Sequence, residues 1–513
     1  MTLLAAVVDV ARAVAATSAR TGKIRLLADL LRQVDPGEIE AAVGFLVAAP
    51  RQGKLGVGFR TIADLAVPPA DASTLTIADV DDAITRLADG GGVGSTAARQ
   101  AEVAQLWSRA TAAEQEFLAG VLLGEVRIGA LAGVLTDAVA QAAGMPAEPV
   151  RRAVMLTGSL GRTAYLALTG TQADIEAVGL TVGVPVLPML ASTGATPAAA
   201  LAAIGDGIPA SVEVKLDGAR IQIHRAGGLG TAVQVFTRNL ADITTRVPEI
   251  VQVVSQFPGG SLILDGETLS LDEDGGPRPF QETMSRFGAS TARAELLRPW
   301  FFDVLHADGV DLLDEPLRRR REVLAAIVGD YSIKAVETAD AAVAEQFSRD
   351  ALIAGHEGVL VKSLDAPYAA GRRGKHWIKV KPVHTYDLVV LAVEWGSGRR
   401  TGWLSNLHLG ARNPAVPLGD PGDFVMVGKT FKGLTDATLA WQTERLLALE
   451  TTRTRYAVHV RPELVVEIAI DGVQRSSRYP GGVALRFARV KGYREDKQPA
   501  DADTIDTLRA MLR

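Results

Sequence analysis

The residues best suited to chemistry lie together in the segment SVEVKLDGARIQIHR, residues 211–225. Lys215 stands midway between Glu213 and Asp217, and Arg220 follows shortly after them. A lysine amine is a nucleophile when it is uncharged, and nearby cations favour that form. Charged side chains are costly on a buried face unless they are paired or used. The segment therefore has the composition of a catalytic or binding site.

Two short strands joined by a tight turn are predicted to position these side chains. Val212, Val214 and Leu216 alternate with the charged residues, which is the period-two pattern of a half-buried strand. The alternation resumes beyond Gly218, a residue that can supply the positive φ that tight turns often need. The lysine and its two neighbouring carboxylates would then share one face of the first strand.

Further candidates follow in short motifs, and the order of these motifs is more informative than Lys-x-Asp-Gly alone. The motifs are TRN, LILDGE, WFFDVL, EGVLVK, WIKVK and YREDK, and most of them lie in or beside predicted strands. The candidate residues that they supply are Arg238, Glu267, Phe302, Glu357, Lys362, Arg373, Lys379, Lys381, Arg494 and Lys497.

These motifs, in this order, resemble those of the covalent nucleotidyltransferases, and specifically the ATP-dependent DNA ligases. The resemblance spans essentially the whole chain. It implies a multidomain α+β fold, with an all-α DNA-binding domain at residues 1–180, a mixed α/β adenylation domain at 190–384 and an OB-fold β-barrel at 385–513. It also implies that nicks in duplex DNA are sealed through a lysyl-AMP intermediate and then a DNA-adenylate, in replication, repair or recombination.

The resemblance implies a role for each residue around the nucleotide. Lys215 would be the nucleophile that takes AMP from ATP, and Glu213 would accept a hydrogen bond from the adenine amino group. Phe302 would stack on the adenine ring. Glu267 would hold the ribose or a metal ion, and Glu357 would be the second metal ligand. The implied metal is Mg²⁺, with Mn²⁺ as an alternative.

Other cations would bind phosphates or the nick. The members of this group are Arg220, Arg238, Lys362, Arg373, Lys379 and Lys381. Arg494 and Lys497 resemble a mobile motif of the barrel that orients the leaving pyrophosphate. Asp217 has no assigned role, since its charge opposes deprotonation of the lysine; orienting the lysine and orienting a metal ion both remain open.

Composition limits the class of protein. A chain of 513 residues is expected to form two to four domains. Its net charge of −5 does not indicate a nucleic-acid partner, but residues 362–400 have more Lys and Arg than acidic residues, as a DNA-facing surface requires. The absence of cysteine excludes structural disulfides and fits a cytoplasmic protein, which the resemblance would place at the bacterial nucleoid. The expected partners are ATP and nicked duplex DNA, with no membrane. We expect a monomer, with a sliding clamp or repair proteins as further candidates.

Several segments have less specific interpretations. The first 175 residues have helical periodicity. The glycine-bearing junctions 122–130 and 150–161 resemble DNA-contacting loops of the ligases, although each junction by itself is more typical of a glycine C-cap beside solvated arginines. Residues 89–96 (DGGGVGST) lack the lysine of a phosphate loop and are interpreted as a linker. Residues 182–191 are predicted to be an extended linker. The basic helix 317–327 (LRRRREVLAAI) is interpreted as a solvated face.

Other functions remain open from the residues alone. RNA ligases and GTP-using capping enzymes share the lysine motif, although the long helical N-terminal region favours a DNA ligase. NAD-dependent ligases carry a four-cysteine zinc module, which a chain without cysteine cannot form. A non-catalytic nucleic-acid clamp is disfavoured because Lys215, Glu267, Glu357 and Lys379 are all present.

Overall fold

The computed structural model describes the chain except residues 54, 64, 66, 90–94, 127–131, 274–275, 279–280, 284–296, 455 and 513, and the side chains of 60, 63, 95 and 96. Most of the segment 89–96, and half of the junction 122–130, therefore lie outside the described residues. Within the described part of the chain, no helix combines the length and the apolar character needed to cross a membrane.

The first third of the chain is helical, which confirms the prediction from its periodicity. Each amphipathic helix buries its apolar face in a shared core, and Leu4, Val7 and Val14 of the first helix are fully buried there. Local caps fix the ends; for example, Thr111 and Glu114 form a capping box. The helices are α1 (Leu4–Ala16), α2 (Arg20–Leu31), α3 (Ile39–Leu46), α4 (Phe59–Ala63), α5 (Ile77–Asp89), α6 (Ser95–Arg109), α7 (Ala112–Leu123), α8 (Ala132–Ala143), α9 (Ala147–Thr157), α10 (Leu160–Thr169) and α11 (Gln172–Glu176).

The middle of the chain mixes strands and helices. Its described elements are β1 (Leu190–Thr193), α12 (Pro197–Ile204), β2 (Ala210–Lys215), β3 (Ala219–Arg225), β4 (Val233–Thr237), α13 (Pro248–Ser255), β5 (Leu262–Ser270), β6 (Leu297–Ala307), β7 (Val310–Asp311), α14 (Leu317–Val328), β8 (Ala335–Thr338), α15 (Ala341–Ile353), β9 (Gly358–Ser363) and β10 (Arg373–Val380). They form two five-stranded sheets, ordered β1-β10-β9-β2-β8 and β4-β3-β5-β6-β7.

The strands on either side of Gly218 belong to different sheets, so they do not form a hairpin. β2 pairs with β8 and β9, whereas β3 pairs with β4 and β5. Gly218 is not among the described glycines with a positive φ. Instead, a Cβ at this position would lie 2.4 Å from the carbonyl oxygen of Thr268 on β5. The close approach of β5 requires the glycine, and the expectation of a positive φ is wrong.

Both faces of β2 are buried, although its alternation predicted a half-buried strand. Val212 and Val214 share a core with Ala344 and Ala351 of α15. On the opposite face Glu213 is only 1% exposed. The polar face of β2 therefore lies inside the protein, where its charges must be paired.

The last part of the chain is a strand-rich barrel, which confirms the expected OB-fold. Its elements are β11 (His384–Trp395), β12 (Leu404–Arg412), β13 (Phe424–Thr430), α16 (Asp436–Ala448), β14 (Glu450–Arg453), β15 (Ala457–Val460), β16 (Val465–Ile470), β17 (Gly472–Arg475), β18 (Val483–Arg486), β19 (Arg489–Tyr493) and α17 (Ile505–Arg509). The long strand β11 pairs with β12 on one side and with both β15 and β16 on the other. This pairing lets one strand pass between two parts of a curved sheet.

The extended segment 182–191 is fastened to the middle sheets and does not act as a free linker. The backbone N–H of Val186 donates to Gln222 Oε1 at 2.8 Å, and Gln222 Nε2 donates to the Val186 carbonyl at 3.1 Å. Leu156 of α9 packs in one core with Val186 and Met189. The end of the helical region is therefore anchored to the middle of the chain.

The basic first half of α14 is only partly a solvated face. Arg318 and Arg319 are exposed, but the side chain of Arg320 is completely buried with that of Asp303. Their ion pair is bidentate, with Arg320 Nε donating to Oδ1 at 2.7 Å and Nη2 donating to Oδ2 at 3.0 Å. The interpretation of this helix as an entirely solvated face is wrong, because β6 places a buried carboxylate beside it.

We predict that Arg320→Met lowers the free energy of unfolding by about 3–5 kcal/mol, because it leaves Asp303 buried and uncompensated. Urea denaturation followed by circular dichroism measures the change. Arg319→Met, on the neighbouring exposed position, is the matched control and should change the stability by less than about 0.5 kcal/mol. Equal losses in the two variants would contradict a structural role for the buried pair.

Candidate active site

Lys215 ends β2 and its amine forms an ion pair with Glu357. The backbone N–H of Glu357 also donates to the carbonyl of Lys215 at 3.0 Å, so the two residues are tied by main chain and side chain. Lys381 Nζ binds the other oxygen of Glu357 at 2.7 Å. Glu357 is therefore held between two lysines, Lys215 and Lys381.

Glu267 on β5 supplies a second carboxylate beside the lysine. Burial raises the pKa of Glu267 to about 7, although the charges of Lys215 and Arg220 oppose the rise. Burial also acts to raise the pKa of Glu357, but the charge of Lys215 and hydrogen bonds from Lys215 and Lys381 outweigh it and hold that pKa below its ordinary value. Of the two carboxyl groups beside the amine, Glu267 thus has a raised pKa and Glu357 a lowered one.

A cationic group lies along β10. Lys379 lies in the strand and Lys381 follows its last residue, Val380, while exposed Arg373 begins the strand. Burial lowers the pKa of Lys379, and the charges of Lys381, Lys215 and Arg373 lower it further. The structure thus brings together Lys215, Glu267, Glu357, Lys379 and Lys381, as a site that handles phosphate groups would require.

Lys362 has internal partners. Its side chain is 1% exposed and its Nζ lies 2.6 Å from Glu213 Oε2. The same Nζ lies 4.4 Å from the ring centre of Phe302 and 4.0 Å from that of Trp377. Burial lowers the pKa of Lys362, which the charge of Glu213 opposes. The lysine is therefore an internal partner of Glu213, next to the half-buried ring of Phe302.

Arg220 likewise has internal partners. Its Nε and Nη2 donate to the two oxygens of Asp265 at 2.9 and 2.5 Å. Nη1 donates to the carbonyl of Met189 at 2.6 Å, and Nη2 also reaches the hydroxyl of Tyr368 at 3.2 Å. These contacts use most of the five N–H groups of a guanidinium. Arg220 therefore fastens the segment 182–191 to the sheet.

Three further predicted residues, Arg238, Arg494 and Lys497, also lie outside this constellation. Arg238 is exposed immediately after β4. Arg494 binds Asp496 at 2.6 Å and Asp387 at 3.4 Å, and Lys497 pairs with Asp387 as well. The structure therefore keeps both C-terminal cations within the barrel.

The barrel contacts the site through residues that were not predicted. Arg486 Nη1 donates to Asp217 Oδ2 at 2.7 Å, across 269 positions of sequence. Asp471 Oδ2 binds Lys381 Nζ at 2.5 Å. No local pattern in the sequence marks either barrel residue, because the partners become neighbours only when the two regions dock.

Comparison with known proteins agrees with this architecture. Residues 188–381 match the ATP dependent DNA ligase domain, residues 400–497 the ATP dependent DNA ligase C terminal region, and residues 66–140 the DNA ligase N terminus. A probable DNA ligase of Pseudarthrobacter chlorophenolicus is 62% identical, covering 100% of both chains, and one of Beutenbergia cavernae is 54% identical, covering 99% of both. The solved structure named Pmar-Lig_PreS3 is similar in fold, with a TM-score of 0.64, 17% identity and coverage of 95% of this chain and 99% of that one.

The raised pKa of Glu267 predicts that this carboxyl destabilises the folded state as the pH rises. An unfolded glutamate loses its proton near pH 4.5 and the folded one near pH 7, so stability is lost between these values. We expect Glu267→Gln to remove this loss of stability. At pH 8 the free energy of unfolding of the variant should exceed that of the wild type by on the order of 2 kcal/mol. Urea denaturation at pH 4.5 and pH 8 gives the comparison, with exposed Glu322→Gln as the control. A gap between Glu267→Gln and wild type that does not grow with pH would contradict the burial effect.

Proposed function

The chain belongs to the ATP-dependent DNA ligase family, and from this premise we propose that Lys215 is the residue that carries AMP. The membership confirms the resemblance recognised from the motifs. The activity is ATP-dependent sealing of nicks in duplex DNA, as the family performs it. The full-length similarity to DNA ligases favours this activity over RNA ligation, mRNA capping and a non-catalytic clamp.

The observation that supports the assignment is the position of Lys215, which ends β2 and forms an ion pair with Glu357. In the first step its Nζ would attack the α-phosphorus of ATP, so that a phosphorus–nitrogen bond forms and pyrophosphate leaves. A 5′-phosphate of the nick then takes the AMP and the lysine is released. The 3′-hydroxyl finally attacks that phosphate, the phosphodiester forms and AMP leaves. Lys379, Lys381 and Arg373 are the cations proposed to bind the phosphates.

Glu267 and Glu357 fit a divalent metal ion, for which we propose Mg²⁺, with Mn²⁺ as a substitute. Mg²⁺ commonly binds one or two carboxylates and completes its shell with water and substrate phosphates. Within the described residues, no group of three or more His, Cys, Asp or Glu side chains is arranged to hold a metal ion. The proposed site therefore consists of these two carboxylates, with water and substrate phosphates as the other ligands. When bound, the metal would neutralise phosphate charge. Engaging Glu357 in this way would free the amine of Lys215.

Two further contacts are proposed for the nucleotide. Glu213 would accept from the adenine amino group, and Phe302 would stack on the ring. Support comes from their adjacency, since Lys362 touches both of them in the interior of the protein.

Asp217 receives a proposed role from its ion pair with Arg486. We propose that this pair, with Lys381 and Asp471, holds the barrel against the site during sealing. For the first step the barrel would turn, so that Arg494 and Lys497 leave Asp387 and reach the triphosphate. We further propose a monomer bound to nicked duplex DNA at the bacterial nucleoid, with domains at residues 1–180, 190–384 and 385–513.

We predict that Lys215→Ala abolishes covalent labelling of the protein by ATP radiolabelled at the α-phosphate, in the presence of magnesium. The reason is that alanine offers no amine to form the phosphorus–nitrogen bond. Acid-stable and acid-labile counts after gel electrophoresis measure the label. Lys334→Ala, at an exposed lysine, should label like the wild type. Acid-labile label in Lys215→Ala would overturn the assignment.

We predict that Arg486→Ala and Asp217→Asn each slow nick sealing from the preformed lysyl-AMP about fivefold, and that the double variant is no slower than either one. Both changes remove the same half-exposed ion pair, which is worth about 1 kcal/mol. Single-turnover sealing provides the rates, and Arg461→Ala, at an exposed barrel position, should seal at the wild-type rate. Additive losses would show that the two side chains act separately.

A further inference from the structure

Arg321 of α14 reaches the face of β2 that carries Glu213. It does not belong to any of the short motifs identified in the sequence. Its Nη1 donates to Ser211 Oγ at 2.7 Å and to Glu213 Oε1 at 3.0 Å. Its Nε lies 3.3 Å from Glu337 Oε1 on the neighbouring strand β8. The side chain is 22% exposed, so the guanidinium is mostly enclosed by these partners.

The carboxylate of Glu213 is therefore restrained from two directions. Arg321 and Ser211 bind Oε1, while Lys362 lies 2.6 Å from Oε2. The Glu213 side chain is 2% exposed, so water supplies little of its solvation. The restraint originates on two elements distant in sequence, because Arg321 projects from α14 and Lys362 from β9.

Counting acceptor sites shows what this arrangement leaves for a ligand. An ionised carboxylate offers about four lone-pair sites. Ser211 and Arg321 hydrogen-bond to Oε1, whereas Lys362 lies against Oε2 as an ion-pair partner, so acceptor capacity remains on Oε2. The remaining site can accept one N–H from a purine placed against Phe302. A base with an N–H at this point is accepted, and one with an oxygen there is repelled by the carboxylate.

We propose that Arg321 is a positioning residue for base selection, which fixes Glu213 so that its remaining acceptor site faces the 6-amino group of adenine. This inference rests on the proposed contact between Glu213 and the base. Without the guanidinium, Oε1 keeps only the serine hydroxyl, and the carboxylate gains rotamers that do not face the base. Arg321 would thereby set the preference for a 6-aminopurine without touching the nucleotide.

Self-adenylation with two nucleotides tests the proposal. The probes are ATP and purine riboside triphosphate, which lacks the 6-amino group, and the measured quantity is the ratio of their kcat/KM values for covalent transfer. Wild-type protein should favour ATP. Arg321→Met should lower the ratio about tenfold, the usual loss of a hydrogen bond to a charged group. Arg321→Lys keeps the charge but not the forked geometry, and should lower the ratio by a smaller factor.

Controls separate this claim from the proposed function. Arg319→Met lies on the same helix at an exposed position and should leave the ratio unchanged. Glu213→Ala should reduce the ratio to near one; if it does not, the proposed base contact of Glu213 fails. If Glu213→Ala reduces the ratio while the folded Arg321 variants keep the wild-type value, the role of Arg321 is overturned. Should Arg321→Met fail to fold, the ratio of Arg321→Lys decides the question in the same way. Equal losses with both nucleotides would indicate a purely structural arginine.

Discussion

The shared carboxylate of Glu357 is the contact on which the site depends. It joins Lys215 to Lys381, and through Lys381 it reaches Asp471 of the barrel. The backbone sets this geometry, because Lys215 pairs with Gly358 where β2 meets β9. Gly358 has φ +145, and a Cβ there would lie 2.3 Å from the carbonyl oxygen of Val380, so β10 also closes on this point. Three strands thus converge on the carboxylate of Glu357. A ligand that binds this carboxylate would also change the contacts of the Lys215 amine and of the barrel.

Around this contact, the interior of the middle region is built from paired charges. Asp303 with Arg320, Asp265 with Arg220 and Glu213 with Lys362 each bring two charges together where water has little access. Such pairs need not add net stability, but removing one partner is costly. Their consequence is a set of side chains with fixed directions beside the proposed phosphate-binding site. Fixed dipoles favour catalysis because they need no reorganisation during the reaction.

The fold was largely predictable from sequence, because helical periodicity, strand alternation and the order of the motifs are local signals. The grouping of Lys215 with Glu267, Glu357, Lys379 and Lys381 followed from the family motifs. The interior positions of Lys362 and Arg220 did not, since a cation in a motif does not reveal whether a buried carboxylate awaits it. The contacts of Arg321 and Arg486 were also missed, because they depend on how elements more than 100 residues apart pack together.

The central claim is that one amine, at the end of β2, takes the nucleotide. Mass-spectrometric mapping of wild-type protein after incubation with ATP and magnesium tests it most directly, because each peptide reports its own lysine. We expect one AMP on the peptide that contains Lys215 and none on peptides that contain Lys362, Lys379 or Lys381. AMP on one of those other lysines, with Lys215 unmodified, would contradict the account.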